Sequence, residues 1–158
     1  MRHGKILVVD DDRNLLGVIS AMLSRLGHDV SLADSGEKGL VAFFKNPFNI
    51  VLSDYQMPGM DGIALACAIK KKSPRTPVLI MTGAGRENVL SRKSPAVDEV
   101  IAKPFTLASL GKTIQRHIGQ EVSDLTHPPL LPGYRYEEPN DVAYAVRGLL
   151  TKCSMDCQ

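Results

Sequence analysis

Up to residue 119 short apolar runs alternate with longer stretches in which apolar residues recur every three to four positions. The runs Lys5 to Val9, Asp29 to Ala33, Asn49 to Ser53, Pro77 to Met81 and Asp98 to Ala102 predict five strands. Within three of them, ILVV, IVL and VLIM, the apolar residues are consecutive rather than alternating. That pattern belongs to strands covered by helices on both faces. Between the strands, Leu15, Val18, Ile19, Met22 and Leu26 form one helical stripe, and Leu107, Leu110, Ile114 and Ile118 form another. Gly27 stands where the first helix should end, Ser35 can cap the second, and Asp61 and Thr106 suit the starts of the third and fifth. A fourth helix is expected near Arg86 to Lys93. The alternation of strand and helix predicts an α/β fold, a doubly wound five-stranded parallel sheet.

Beyond residue 119 the pattern stops. Pro128, Pro129, Pro132 and Gly133 read as an extended linker. Val142, Ala145, Val146, Leu149 and Leu150 then place one apolar stripe on a short helix. The expected organisation is a domain over 1–119 and, over 120–158, a linker with an amphipathic helix that is not a full effector domain. The stripe can fold back on the domain, pair with a second copy as a homodimer or dock on another protein.

Composition narrows the class. The chain has 158 residues, 44% hydrophobic and 23% charged, which supports a packed core. No apolar run approaches the roughly 18 residues of a membrane span, so no membrane association is expected. The start MRHGKILVVDDD turns acidic too soon for a secretory signal, and a cytoplasmic location is expected. Cys67, Cys153 and Cys157 lack metal-site spacing and are expected to be thiols. Residues 1–119 carry 16 Lys and Arg against 11 Asp and Glu, and residues 120–158 carry 3 against 6. The acidic balance of the second part argues against direct nucleic-acid binding by it.

The chemistry gathers at the strand ends, where ligands of open α/β sheets bind. Strand one runs into Asp10, Asp11 and Asp12, strand three into Asp54, strand four into Thr82, and strand five into Lys103 and Pro104. Taken singly, each has an ordinary structural use: helix caps for the acids, turn chemistry for Thr82, a surface position for Lys103. Taken together they supply carboxylates that would repel one another unless a cation joined them, and Mg²⁺ with oxygen ligands suits such a set. A nucleophilic aspartate, a metal, an ammonium and a hydroxyl are the parts that phosphoryl transfer needs.

The segments ILVVDDD, VLSDYQMPGMDG, LIMTGAG and IAKPF resemble the four signature blocks of bacterial response-regulator receiver domains, in the same order and over residues 4 to about 119. The resemblance implies the strand order 2-1-3-4-5 and a signalling protein of a two-component system rather than an enzyme with its own substrate. It implies that Asp54 accepts a phosphoryl group from a sensor histidine kinase or phosphotransfer protein. Asp10, Asp11, Asp54 and the backbone carbonyl of Gln56 would hold Mg²⁺, and Thr82 and Lys103 would contact phosphoryl oxygens. The peptide bond before Pro104 is often cis in such domains. Output would pass through protein contacts with a downstream partner that the sequence does not identify. Val100 stands where the family usually carries Tyr or Phe, and Gln56 and Ala84 occupy positions that tune hydrolysis of the acyl phosphate. Two competing readings are a haloacid-dehalogenase-like phosphohydrolase, whose Asp-x-Asp block would fall at Asp10 to Asn14, and a phosphorylation-independent scaffold.

Overall fold

A computed structural model of the chain describes residues 3–83 and 94–118. Five parallel strands, β1 (Lys5–Val9), β2 (Asp29–Ala33), β3 (Ile50–Asp54), β4 (Val78–Gly83) and β5 (Glu99–Lys103), form one sheet in the order β2-β1-β3-β4-β5. The described helices are α1 (Arg13–Arg25), α2 (Gly36–Lys45), α3 (Gly62–Lys72) and α4 (Leu107–Ile118). Ala84, the helix expected near Arg86 to Lys93 and the linker and helix expected in 120–158 lie outside the described residues.

The consecutive apolar runs are buried on both faces, as their pattern predicts. Ile6, Val8, Leu52, Leu79 and Met81 face a core built with Leu16, Ile19 and Leu23 of α1 and Leu110 and Ile114 of α4. Leu7, Val9, Val51, Val78 and Ile80 face the opposite core, with Leu40 and Phe43 of α2 and Leu65 and Ile69 of α3. Each such aliphatic side chain contributes roughly 1.5–3 kcal/mol by leaving water. The edge strand β2 is less covered, and Leu32 on it remains exposed.

Local signals fix where the helices begin. Ser35 caps α2 by accepting from the Lys38 amide, and Asp61 caps α3 by accepting from Ala64. At the start of α4, Thr106 Oγ1 accepts from the Ser109 amide while Ser109 Oγ accepts from the Thr106 amide, a reciprocal pair. Leu26 is the C-cap of α1, and Gly27 follows with φ +86°, the left-handed conformation that glycine adopts without strain. Among the described residues no helix is long and apolar enough to cross a membrane.

One buried group works against the fold in acid. His28, just before β2, is 5% exposed, and neither ring nitrogen has a partner among the described residues. Burial, with a smaller contribution from His3, pushes its pKa below the ordinary 6.5. The unfolded chain therefore binds a proton before the folded one, and stability is lost as pH falls below 6.5 toward the depressed value. Thermal unfolding of His28→Leu is expected to show a larger gain in Tm at pH 5 than at pH 8, with about 4 °C or more for each kcal/mol. Equal shifts at both pH values would contradict a neutral buried imidazole.

Candidate functional site

The parallel register brings the strand ends level. Val9 of β1 pairs with Ser53 of β3, Asp54 with Met81 of β4, and Gly83 with Lys103 of β5. Asp54 and Lys103 are themselves the last residues of their strands, one position further than the hydrophobic runs suggest.

Lys103 joins the two acids that sequence alone could only place nearby. Its Nζ donates to Asp10 Oδ2 at 2.9 Å and to Asp54 Oδ1 at 2.6 Å. The remaining carboxylate oxygens are held by backbone. Asp10 Oδ1 accepts from the Asp12 amide at 2.9 Å, and Asp54 Oδ2 accepts from the Gln56 amide at 2.9 Å. Both aspartates thus repeat one device, a carboxylate turned by the N–H two residues ahead and bridged by a shared ammonium. The Lys103–Pro104 peptide bond is cis, as the resemblance implies.

The electrostatics follow from burial. Asp10 is 2% exposed, and this desolvation raises its pKa above the ordinary carboxylate value despite Lys103 and the Asp12 amide. Desolvation alone would lower the pKa of Lys103, but its hydrogen bonds to Asp54 and Asp10 and their charges outweigh it and raise the value. Lys103 is therefore a fixed cation between two acids, one of which is held ionised against its surroundings.

Other expected site residues lie apart from this bridge. Asp11 is exposed, and among the described residues no three His, Cys, Asp or Glu side chains converge as a ready metal cluster. Thr82 is 2% exposed at the end of β4, and its hydroxyl donates to the Gly83 carbonyl at 3.4 Å rather than to Asp54. Asp12 caps α1, accepting from the Asn14 and Leu15 amides. Both bonds end on Oδ1, so this carboxylate serves the start of the helix. Val100 is half-buried and packs against the α2 and α3 core. The donors at this edge are all oxygen, the set a hard divalent cation takes, and added positive charge would help hold buried Asp10 ionised.

Two features had no sequence-level signal. A Cβ on Gly62 would lie 2.2 Å from the Asp54 carbonyl oxygen, so α3 starts against the backbone at the end of β3. Glu37, which reads as an acid favourable to the start of α2, instead reaches the loop after Asp54 and accepts from the Met60 amide at 2.9 Å.

Comparison with known proteins gives a consistent result. The family model of the response regulator receiver domain matches residues 6–115. The response regulator protein FleR of Pseudomonas aeruginosa is 36% identical over 149 residues, covering 92% of this chain and 29% of its own length. The transcriptional regulatory protein ZraR of Escherichia coli is 39% identical over 113 residues, 70% of this chain and 25% of its own. The chain thus spans less than a third of these relatives. Among solved structures, a receiver domain protein from Clostridium thermocellum aligns with TM-score 0.67 and 34% identity over 72% of this chain and 93% of its own. The response regulator TrrA from Thermotoga maritima, in complex with Mg²⁺-BeF, aligns with TM-score 0.66 and 31% identity over 72% and 97%. These matches give the phosphohydrolase reading no support. Nor do they support the expectation against nucleic-acid contact, since one relative is a transcriptional regulatory protein.

Proposed function

The chain belongs to the response regulator receiver domain family of two-component systems, and from that premise we propose that Asp54 is its phosphoacceptor. The observation that carries this reading is the Lys103 ammonium shared between Asp10 and Asp54, three residues that meet at the carboxyl ends of β1, β3 and β5. In the proposed reaction a carboxylate oxygen of Asp54 attacks phosphorus in the donor. The P–N bond of a phosphohistidine, or the P–O bond of acetyl phosphate, breaks as the acyl phosphate forms.

The chain's own groups prepare that step. The Gln56 amide on Oδ2 and the Lys103 ammonium on Oδ1 fix the rotation of the Asp54 carboxylate before the donor arrives. Once an oxygen of Asp54 becomes the bridging atom of an acyl phosphate it is a weaker acceptor, and Lys103 transfers its hydrogen bond to a phosphoryl oxygen. Thr82 turns its hydroxyl from the Gly83 carbonyl to another phosphoryl oxygen. Asp10, Asp11, Asp54 and the Gln56 carbonyl would hold Mg²⁺, which supplies positive charge to the equatorial oxygens of the transferring group. A relative solved with Mg²⁺-BeF supports that assignment. Autocatalysed uptake and hydrolysis belong to this signalling role, which needs no separate substrate. The donor would be a histidine kinase or phosphotransfer protein, and the phosphorylated surface would bias contacts with a downstream protein or a second copy.

Incubation with labelled acetyl phosphate is expected to give Mg²⁺-dependent uptake that chelation with EDTA abolishes. Asp54→Asn is expected to lose at least about 10³-fold, since the nucleophilic carboxylate oxygen is replaced by an amide. Uptake at the parent rate in EDTA would refute the metal assignment, and multiple-turnover hydrolysis of phosphomonoesters surviving Asp54→Asn would revive the phosphohydrolase reading.

A further inference from the structure

We propose that Glu37 is a positioning residue for phosphoryl acceptance, locking the loop that orients Asp54; this rests on the assignment of Asp54 as phosphoacceptor. Three observations place the first turn of α2 against that loop. The Glu37 Oε1 accepts from the Met60 amide at 2.9 Å, across 23 residues of sequence. A Cβ on Gly36 would lie 2.5 Å from the Met60 carbonyl oxygen, so the backbones touch without an intervening side chain. Gly59 has φ +77°, and a Cβ there would meet Glu37 Oε1 at 2.5 Å. Only glycine at 36 and 59 leaves room for the carboxylate to reach the amide.

The loop is short and tied at both ends. At its start the Gln56 amide holds Asp54 Oδ2, and at its end Gly62 donates to the Tyr55 carbonyl at 3.1 Å while Asp61 caps α3. Met60 is 3% exposed, so its amide has no ready access to water and depends on Glu37 for a partner. Without Glu37 the Met60 amide loses its partner, and the loop between Gln56 and Asp61 is held only by its end contacts and by the buried side chains of Met57 and Met60. The Glu37 carboxylate bonds to Met60, whereas Asp54 bonds to Gln56 and Lys103, so Glu37 acts through Met60 and the loop.

The test compares Glu37→Ala and Glu37→Gln with the parent. Glu37→Ala is expected to slow uptake from acetyl phosphate by about 10-fold, the scale of a small misplacement of a reacting group. Glu37→Gln keeps an oxygen acceptor and is expected to restore the rate to within about a factor of three. Amide hydrogen exchange at Met60 should quicken in the alanine variant and recover in the glutamine variant, with Leu7 and Leu52 unchanged as a sign of an intact sheet. A parent-like rate in Glu37→Ala, or a glutamine variant as slow as the alanine one, would overturn the proposal. Should the parent itself take up no phosphoryl group, the phosphoacceptor assignment fails. The Mg²⁺-induced shift of the Gln56 amide then decides the role of Glu37, since it should differ between parent and Glu37→Ala and return in Glu37→Gln.

Discussion

Lys103→Met is expected to slow phosphoryl uptake from acetyl phosphate by about 10²-fold or more, the scale on which loss of one preorganised donor acts. Methionine keeps the unbranched stem and removes only the ammonium, which in the parent lies 2.9 Å from Asp10 and 2.6 Å from Asp54. The two carboxylates then lose the ammonium they share, and a phosphoryl oxygen loses the donor proposed for it, which leaves Mg²⁺ as the only compensating cation proposed at the site. The same change should lower stability, since a buried acid loses its partner; the ceiling is about 3–5 kcal/mol. The loss falls short of that ceiling because Lys103 is partly exposed and Asp10 can take up a proton instead. The sign with pH is defined. Asp10 already has a folded pKa above its ordinary 3.8, raised by burial, so its ionisation works against the fold as pH rises through that value. The deficit of Lys103→Met should therefore shrink as pH falls and Asp10 becomes neutral. Uptake kinetics and thermal melts at neutral and acid pH measure both effects. An uptake rate within about tenfold of the parent would show that the ammonium is not part of the reacting assembly.

Gly62→Ala is the second change expected to act strongly, through space rather than charge. Its Cβ would lie 2.2 Å from the Asp54 carbonyl oxygen and 3.1 Å from Ile80 Cδ1. The first of these atoms is backbone at the end of a paired strand and cannot rotate away. Either α3 shifts or the end of β3 moves, at a cost of about 1–3 kcal/mol for an overpacked site. Displacing Asp54 should also lower uptake by about tenfold or more, because the proposed nucleophile leaves its aligned position. Gly17→Ala makes an instructive contrast. Apart from its chain neighbours and the helix's own backbone, no atom lies within 4 Å of the Cβ added there, in the interior of α1, so the better helix propensity should raise stability by about 0.5–1 kcal/mol. Denaturant unfolding of the two variants separates close approach from simple helical preference; equal effects would contradict the tight contact at Gly62.

The sheet was legible because its central strands are buried on both faces, which leaves unbroken apolar runs such as ILVV and VLIM that a helix or surface strand would not carry. The caps Ser35 and Asp61 were legible because their bonds are local. Strand ends were less so. Asp54 and Gly83 belong to their strands because Met81 and Lys103 pair with them, and such pairing partners are distant in sequence. The site followed from residue types at strand ends, yet its internal arrangement did not. Asp12 is placed for the helix start it caps, but nothing local tells that Asp10 meets Lys103 or that Thr82 turns toward Gly83. Glu37 was hidden for the same reason, since the start of α2 gives any acid a local use.

The central claim, that Asp54 carries the phosphoryl group, is tested most directly by trapping. After incubation with Mg²⁺ and acetyl phosphate, borohydride reduces an aspartyl phosphate to homoserine, which peptide mass spectrometry can place. The expected result is homoserine at position 54, only in protein treated with the phosphodonor. Homoserine at Asp10 or Asp11, or none in protein shown to bind Mg²⁺, would contradict it.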